Sequence, residues 1–495
     1  MKALISTIPR RLGWSVLVYI LTTGVVLVLD WVATADSPRM LTDGEIMSTF
    51  LTMPTFAAIA AFCFLTAACA DRPAPVVAES LAATPVVAEP AKPFTAQVVG
   101  LQWLNPLQRR DYSTEWQLLW TLGLARPNKN DDMVTAKPQK YATLQMVVSI
   151  ADGNNGRETF DGYHEKYVNK LTVLFHDIYF SSSSYFYNAH SLKDKTTWRE
   201  LAGIHVEYAL PEGKLDPVEA TNYTRERIKN NFAIGNVNSP TAWTRNTPPD
   251  VRVTMGGPNA GFTSLSAALH YLESHPNETV WAMNWDAPNF PPNDEGINEN
   301  MVLLVLAGPN YKTERDALAW IGYPATKSAA DFESKKGLPP RAVQASQAAL
   351  DAAVANAGKQ STDIGYVVHD ANVTHADSPD RLRILAHTLS TEAPEIDFMK
   401  QAFNTPALLG EMGAGTALTN VALGIAYANH FGKNVLVAGT TDPEHPTAVL
   451  VLPPAKVRPI APDKPWFRAR SGNNAYLMWW GLRHDAEGGM QGYSK

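Results

Sequence analysis

The residue types that carry most enzyme chemistry are sparse in this chain and poorly spaced for it. The two cysteines, Cys63 and Cys69, both lie in an apolar stretch near the N-terminus. The several hundred residues after them therefore hold no disulfide, no thiolate metal ligand and no cysteine nucleophile. His369, His375 and Asp377 fall within nine residues of one another. They sit in a predicted loop with no fourth ligand and no i,i+4 helical spacing, so a polar turn explains them better than a metal site. His270 and His275 flank the end of a predicted helix, where a histidine complements the helix dipole. The run Gly256-Gly257-Pro258-Asn259-Ala260-Gly261 joins a strand to a helix, as phosphate-cradling loops do. It lacks the G-x-G-x-x-G spacing and the Lys-Ser/Thr of a P-loop, and tight packing at a buried helix start accounts for it. Gly410, Gly413, Gly415 and Gly424 invite the same reading. No G-x-S-x-G or H-E-x-x-H motif and no carboxylate pair rises above chance, and neither metal nor cofactor is expected.

The elements that would position these residues alternate short β-branched runs with longer helical ones, which argues for an α/β fold. Strands are expected at Ala96–Gly100, Thr172–Phe175, Val251–Met255, Thr279–Trp285, Met301–Leu306, Ile364–Val368, Val435–Ala438 and Ala448–Leu452. Helices are expected at Ser113–Leu122, Ser264–Ser274, Ala342–Ala357 and Thr416–Asn429. A glycine-bounded strand-to-helix joint occurs once in each half. Trp281, Trp285, Tyr366 and Tyr427 lie on apolar elements and are expected in the core. The reading divides the chain into a first half at 95–330, with an irregular insertion at about 125–240, a second half at 331–455 and an aromatic tail at 456–495. That tail, with Trp466, Phe467, Trp479 and Trp480, is expected to pack on the domain or to offer a contact surface.

Ahead of the domain, 12–29 and 46–70 are uncharged apolar runs close to the ~20 residues that cross a bilayer. Lys2, Arg10 and Arg11 precede the first run, and the segment between the runs carries Asp30, Asp36, Asp43 and Glu45 against Arg39 alone. The positive-inside rule makes 1–70 a membrane hairpin with both ends cytoplasmic. Two export readings stand beside it: Ala33-Thr34-Ala35 as a signal-peptide cleavage site, and the run ending at Cys69 as a lipoprotein site; either would put the domain in the periplasm. Residues 71–94, rich in Pro, Ala and Val, read as a semi-extended tether. A net charge of −6, and no Lys/Arg-rich run with interleaved aromatics, argue against nucleic acid as a partner.

The segments AQVVGLQWLNPL, GFTSLSAALHYL, AMNWDAP and LLGEMGAGTALTNVALGIA resemble the thiolase-like fold of β-ketoacyl synthases. That resemblance implies two similar halves forming an α/β/α/β/α core. It also implies a catalytic cysteine near Gly261 or Phe262, with Thr263 and Ser264 the nearby hydroxyls. The first histidine falls at His369 with the loop aspartate at Asp377, and the second histidine falls near Met412, where none occurs. Ketosynthases need the thiolate and both imidazoles, so the scaffold is expected without its chemistry, and a helix-start Ser264 is expected to be a cap. VRVTMGGPNAGFTSLSAALHYLESHP, ETVWAMNWDAP and LLGEMGAGTALTNVALG are similar to segments of the bacterial type VI secretion lipase adapter family. This implies an adapter, held at the inner membrane, that recruits a phospholipase-type toxin to the secretion spike protein. Two alternatives remain: an acyl-transfer enzyme using Ser264 or Thr263 with His369, and an acyl-chain-binding protein that keeps a substrate tunnel. Homodimerisation, as in ketosynthases, is left open.

Overall fold

A computed structural model describes residues 93–105, 114–125, 159–179, 204–231, 249–291, 298–312, 315–371 and 378–460, with Thr23, Thr55 and Trp480 standing alone. The chain divides into units Met1–Ala88 and Glu89–Lys495, and the fold below is that of the second. The apolar runs at 12–29 and 46–70 lie, but for Thr23 and Thr55, outside the described residues. Among the described residues no helix is long and apolar enough to cross a membrane.

The first half runs β1 (Thr95–Leu104), α1 (Thr114–Thr121), α2 (Phe160–Tyr179), β2 (His205–Pro211), α3 (Pro217–Asn231), β3 (Asp250–Gly256), α4 (Ala260–Ser274), β4 (Thr279–Asp286) and β5 (Asn300–Ala307). The second runs β6 (Ala319–Gly322), β7 (Ala325–Thr326), α5 (Arg341–Asn356), β8 (Ile364–His369), α6 (Ser378–Glu392), β9 (Ala402–Asn404), α7 (Thr405–Leu409), α8 (Thr416–Phe431), β10 (Asn434–Gly439) and β11 (Thr447–Leu452). Hydrogen bonding orders the strands β3-β2-β4-β5-β1-β6-β11-β10-β8-β9, with β7 beside β11. This order is a palindrome of topology. In each half three parallel strands (β3, β2, β4; β9, β8, β10) meet two antiparallel ones (β5, β1; β11, β6). The halves meet where β1 pairs with β6. α4 follows β3 directly and α8 follows β9 by way of α7, and a glycine-bounded joint leads into each of these two helices.

The alternation of side chains along each strand sorts the core into layers. On β5, Val302, Leu304 and Leu306 enter the largest apolar cluster with α4, α8 and the inner faces of β10 and β11. Met301, Leu303 and Val305 point the other way, to Tyr163, Tyr167 and Leu171 of α2 and Ile228 of α3. In the second half Leu436, Ala438 and Leu450 meet α5 and α6 on its outer face. The result is α/β/α/β/α, with α4 and α8 as the shared central layer. α8 is buried on nearly every side, which is why it carries small and apolar residues all round and not an amphipathic stripe. It stops at Gly432, whose φ of +63° closes the helix with a backbone bond to Ala428.

Several expectations change. Thr172–Phe175 lies inside α2 and is not a strand; Tyr163, Tyr167, Val168 and Leu171 recur at helical spacing and make its buried face. The 125–240 stretch is not wholly irregular, since it supplies α2, α3 and β2, a strand flanked by β3 and β4. His205 and Glu207 break the apolar pattern of β2 and hide it from a periodicity reading. By strand order the second half opens with β6, ahead of residue 331. In the tail, Trp480 is buried and exchanges both backbone hydrogen bonds with Leu101 at 2.9 and 3.0 Å, beyond the point where β6 stops pairing with β1.

Candidate functional site

The strand-to-helix joint of the first half delivers Gly261, Phe262 and Ser264 to the central layer, because α4 begins earlier than expected, at Ala260. Gly261 faces α8: a Cβ built on it would lie 2.9 Å from Ala417 Cβ and 3.3 Å from Leu418 Cγ. Only a glycine lets the two helices approach this closely. Phe262 is buried in the central core. Ser264 sits in the second turn of α4, so it is not a cap. Its hydroxyl is buried and has no hydrogen-bond partner among the described residues, so it is not paired with His369. The N-cap position belongs to Asn259, which makes no side-chain cap bond and donates instead to the carbonyl of His445 at 3.2 Å.

His369 ends β8, buried. The Ala371 backbone N–H donates to its Nδ1 at 3.2 Å, leaving the ring proton on Nε2. Burial lowers its pKa to about 4, and its ring stacks on Phe398. Its neighbour Asp370 accepts from the Thr440 N–H at 2.5 Å, the Thr440 hydroxyl at 2.8 Å and the Thr441 hydroxyl at 2.8 Å. Burial raises that carboxyl, and the threonine bonds pull it back down. Asp370 therefore fastens the end of β8 to the loop after β10. Asp377 and His375 lie outside the described residues.

Met412, near which the resemblance puts a second histidine, is fully buried in the central core. It leads into the single turn Gly413–Gly415, which the first half grips through polar side chains. Asp286 accepts from the Ala414 N–H at 3.0 Å and the Ala287 N–H at 2.7 Å, with Lys214 Nζ 3.6 Å away. Asn284 donates to the Gly415 carbonyl at 2.7 Å, and Asn298 to the Glu411 carbonyl at 2.8 Å. The Thr419 hydroxyl donates to Asn300 at 2.9 Å. Gly413 has a φ of +52°, and any Cβ there would overlap the Asp286 carboxylate; one at Gly415 would lie 2.6 Å from Asn300 Oδ1. Burial raises Asp286, opposed first by Lys214 and then by the N–H donors.

The structure thus brings Gly261, Phe262 and Met412 into one core, with polar groups around them that hold elements together. Sequence reasoning missed Asp286, Asn284, Asn298, Asn300 and Asp370. The signal was there: Asn-Trp-Asp closing one apolar strand and Asn-Glu-Asn opening the next are polar groups where the pattern asks for core, and buried polar groups need partners. Among the described residues no group of three or more His, Cys, Asp or Glu is placed to hold a metal ion.

Residues 318–453, β6 to β11, match the family described as "Type VI lipase adapter protein Tla3, C-terminal". The matched segment is the whole second half by strand order. No curated protein matches the sequence. Among solved structures, the chain is similar to an oxazolomycin ketosynthase domain, OzmH KS8, of Streptomyces albus JA3453 at 12% identity, over 76% of this chain and 100% of that one, with a TM-score of 0.42. It is similar to the ishigamide ketosynthase/chain length factor at 14% identity, over 72% and 99%, with a TM-score of 0.46. It is also similar to the module 6 ketosynthase of the Bacillus subtilis 168 bacillaene synthase at 11% identity, over 73% and 72%, with a TM-score of 0.47. The thiolase-like layout itself is read from this chain's own strand order and layers.

Proposed function

We propose that this chain is a non-enzymatic adapter that binds a phospholipase-type toxin and brings it to the spike protein of a type VI secretion system. The observation that carries the reading is the match of 318–453 to the Tla3 C-terminal domain. The site supports it from the other side. Where a thiolase-like enzyme would need a thiolate, Gly261 has room for no side chain against α8, and Met412 fills the core where a second imidazole would be needed. Ser264 is buried and not bonded to His369, which speaks against a hydroxyl nucleophile activated by that histidine. We place the adapter at the inner membrane, held by 12–29 and 46–70 with its domain on the cytoplasmic side, on the charge asymmetry of Lys2, Arg10 and Arg11 against the acidic segment between the runs.

The test is a pull-down of the tagged full-length chain from its own host, read by mass spectrometry. Specific recovery of a lipase-type toxin or a spike protein is expected. Recovery of acyl carrier protein or acylated ligands, with neither of those, would overturn the reading. A His369→Gln variant sharpens it, since an adapter keeps its lipase while an enzyme dependent on that imidazole loses turnover.

A further inference from the structure

The sheet has two ends, and they are unlike. β9 is three residues long, whereas β3 runs for seven, Asp250–Gly256, without a proline or a bulge. Natural sheets shorten, bend or block their edge strands because an open one templates pairing with another chain. The direction of the open hydrogen bonds follows from the two ends of β3. The Asp250 N–H donates to Ile204 and the Gly256 carbonyl accepts from Glu212, both on the β2 side. In a regular parallel ladder the residues between them alternate. Asp250, Arg252, Thr254 and Gly256 therefore bond inward, while Val251, Val253 and Met255 turn their N–H and C=O groups outward. No described residue pairs with that outer edge.

The side chains define what would fit. Val253 and Met255 are only partly buried where they pack against the outer core of the first half. On the opposite face Arg252 is 62% exposed and lies 3.1 Å from Asp250, which also meets the buried His205 at 3.0 Å. A second copy of this strand suits the edge badly. An antiparallel pair centred on Arg252 sets Arg252 against its own copy, and one centred on Val253 leaves the two arginines diagonal across the ladder, within reach of each other. Centred on Val251, the pairing sets Pro249, which has no N–H, against Val253. Centred on Thr254, it carries Val251 past the end of the strand.

We propose that the outer edge of β3 receives an extended segment of the lipase partner as an added strand. That segment sets apolar side chains over Val253 and Met255 on one face and an acidic residue opposite Arg252 on the other. This is strand addition, in which main-chain bonds supply affinity and alternate side chains supply specificity. It rests on the adapter reading and gives it a surface. A seven-residue edge alone falls short of the roughly 1,000 Å² expected of a stable interface, which suits a cargo that must be handed on.

The test measures affinity between the full-length chain and the lipase recovered with it in the pull-down. Val253→Pro removes one outward donor and no bond to β2, and proline is tolerated on an edge strand with that orientation. Arg252→Glu reverses the exposed charge and serves if the proline variant does not fold. Val253→Pro is expected to weaken lipase binding at least tenfold and Arg252→Glu severalfold, while Arg383→Glu, on the exposed face of α6, binds as the parent does. Parent-like affinity in folded Val253→Pro or in Arg252→Glu overturns the β3 assignment and leaves the adapter reading standing. Loss of a self-associated species in sedimentation, with lipase binding unchanged, overturns it in favour of a second copy. If the parent chain recovers and binds no lipase, the adapter reading itself falls, and this assignment with it.

Discussion

Gly261 shows how the lack of a side chain decides how closely two helices can approach. A cysteine placed there would set its Cβ 2.9 Å from Ala417 Cβ and 3.3 Å from the backbone N of Leu418. Since α4 and α8 are both central, neither retreats without moving a sheet. Gly261→Cys is therefore expected to lower stability by about 1–3 kcal/mol, the usual cost of overpacking a core, and to gain no thioester chemistry. The measurement is denaturant unfolding of Gly261→Ala, Ala417→Gly and the double variant. If the clash is the cause, Ala417→Gly recovers part of the loss from Gly261→Ala, a coupling that independent sites would not show. That no cysteine follows Cys69 was legible in the sequence because a residue type can be read directly. The closeness of Ala417 was not, since the partners are more than a hundred and fifty positions apart and no local pattern records which faces meet. Ser264 failed for a related reason. Its role as a cap depended on where α4 begins, and element boundaries are the weakest part of any pattern reading.

At the scale of elements, the turn Gly413–Gly415 is where the second half is fastened to the first. Among the described residues Asp286 is the acceptor for the N–H groups of both Ala287 and Ala414, one on each carboxylate oxygen. Asp286→Ala would leave both donors buried without an acceptor, at about 1–3 kcal/mol each; a loss of about 2–5 kcal/mol is expected in urea unfolding. Asp286→Asn keeps one oxygen acceptor and should lose less. Equal losses in the two variants would mean that the carboxylate matters for its charge near Lys214 and not for the turn. Gly413→Ala attacks the same joint from the other side, through its positive φ and its overlap with Asp286, and is expected to cost at least 1 kcal/mol. These elements divide by legibility. β4, β5, β8, β10, β11 and α8 have apolar runs with clear period and were readable to within a few residues. β2 was not, because its place between two strands is set by tertiary pairing while His205 and Glu207 blur its pattern. α2 was misread because Thr172 and Val173 favour strand locally, and the spacing that decides the matter spans two turns upstream.

For the molecule as a whole, the layered core makes acid a specific hazard. His164, on the buried face of α2 against Tyr208 and Trp285, has its pKa lowered by burial to about 3, and His369 to about 4. Both fold neutral and both bind a proton near pH 6.5 when unfolded. The unfolded state therefore takes up protons first as pH falls, so the stability from these groups is complete above pH 6.5 and declines through the window from 6.5 towards 4 and then 3. Between pH 7 and pH 5 each histidine is expected to withdraw about 2 kcal/mol, at 1.4 kcal/mol per unit. Asp286 and Asp370 act in the opposite sense, because burial raises their folded pKa and favours the protonated fold at low pH. A single titration of stability cannot separate the two, but a difference can. Parent and His164→Gln/His369→Gln chains are unfolded in urea at pH 7 and at pH 5, and the parent is expected to lose about 4 kcal/mol more than the double variant over that interval. Equal losses would mean that water reaches one or both imidazoles in the folded chain. That would be informative for His369 in particular, since it would open the far end of β8 to water.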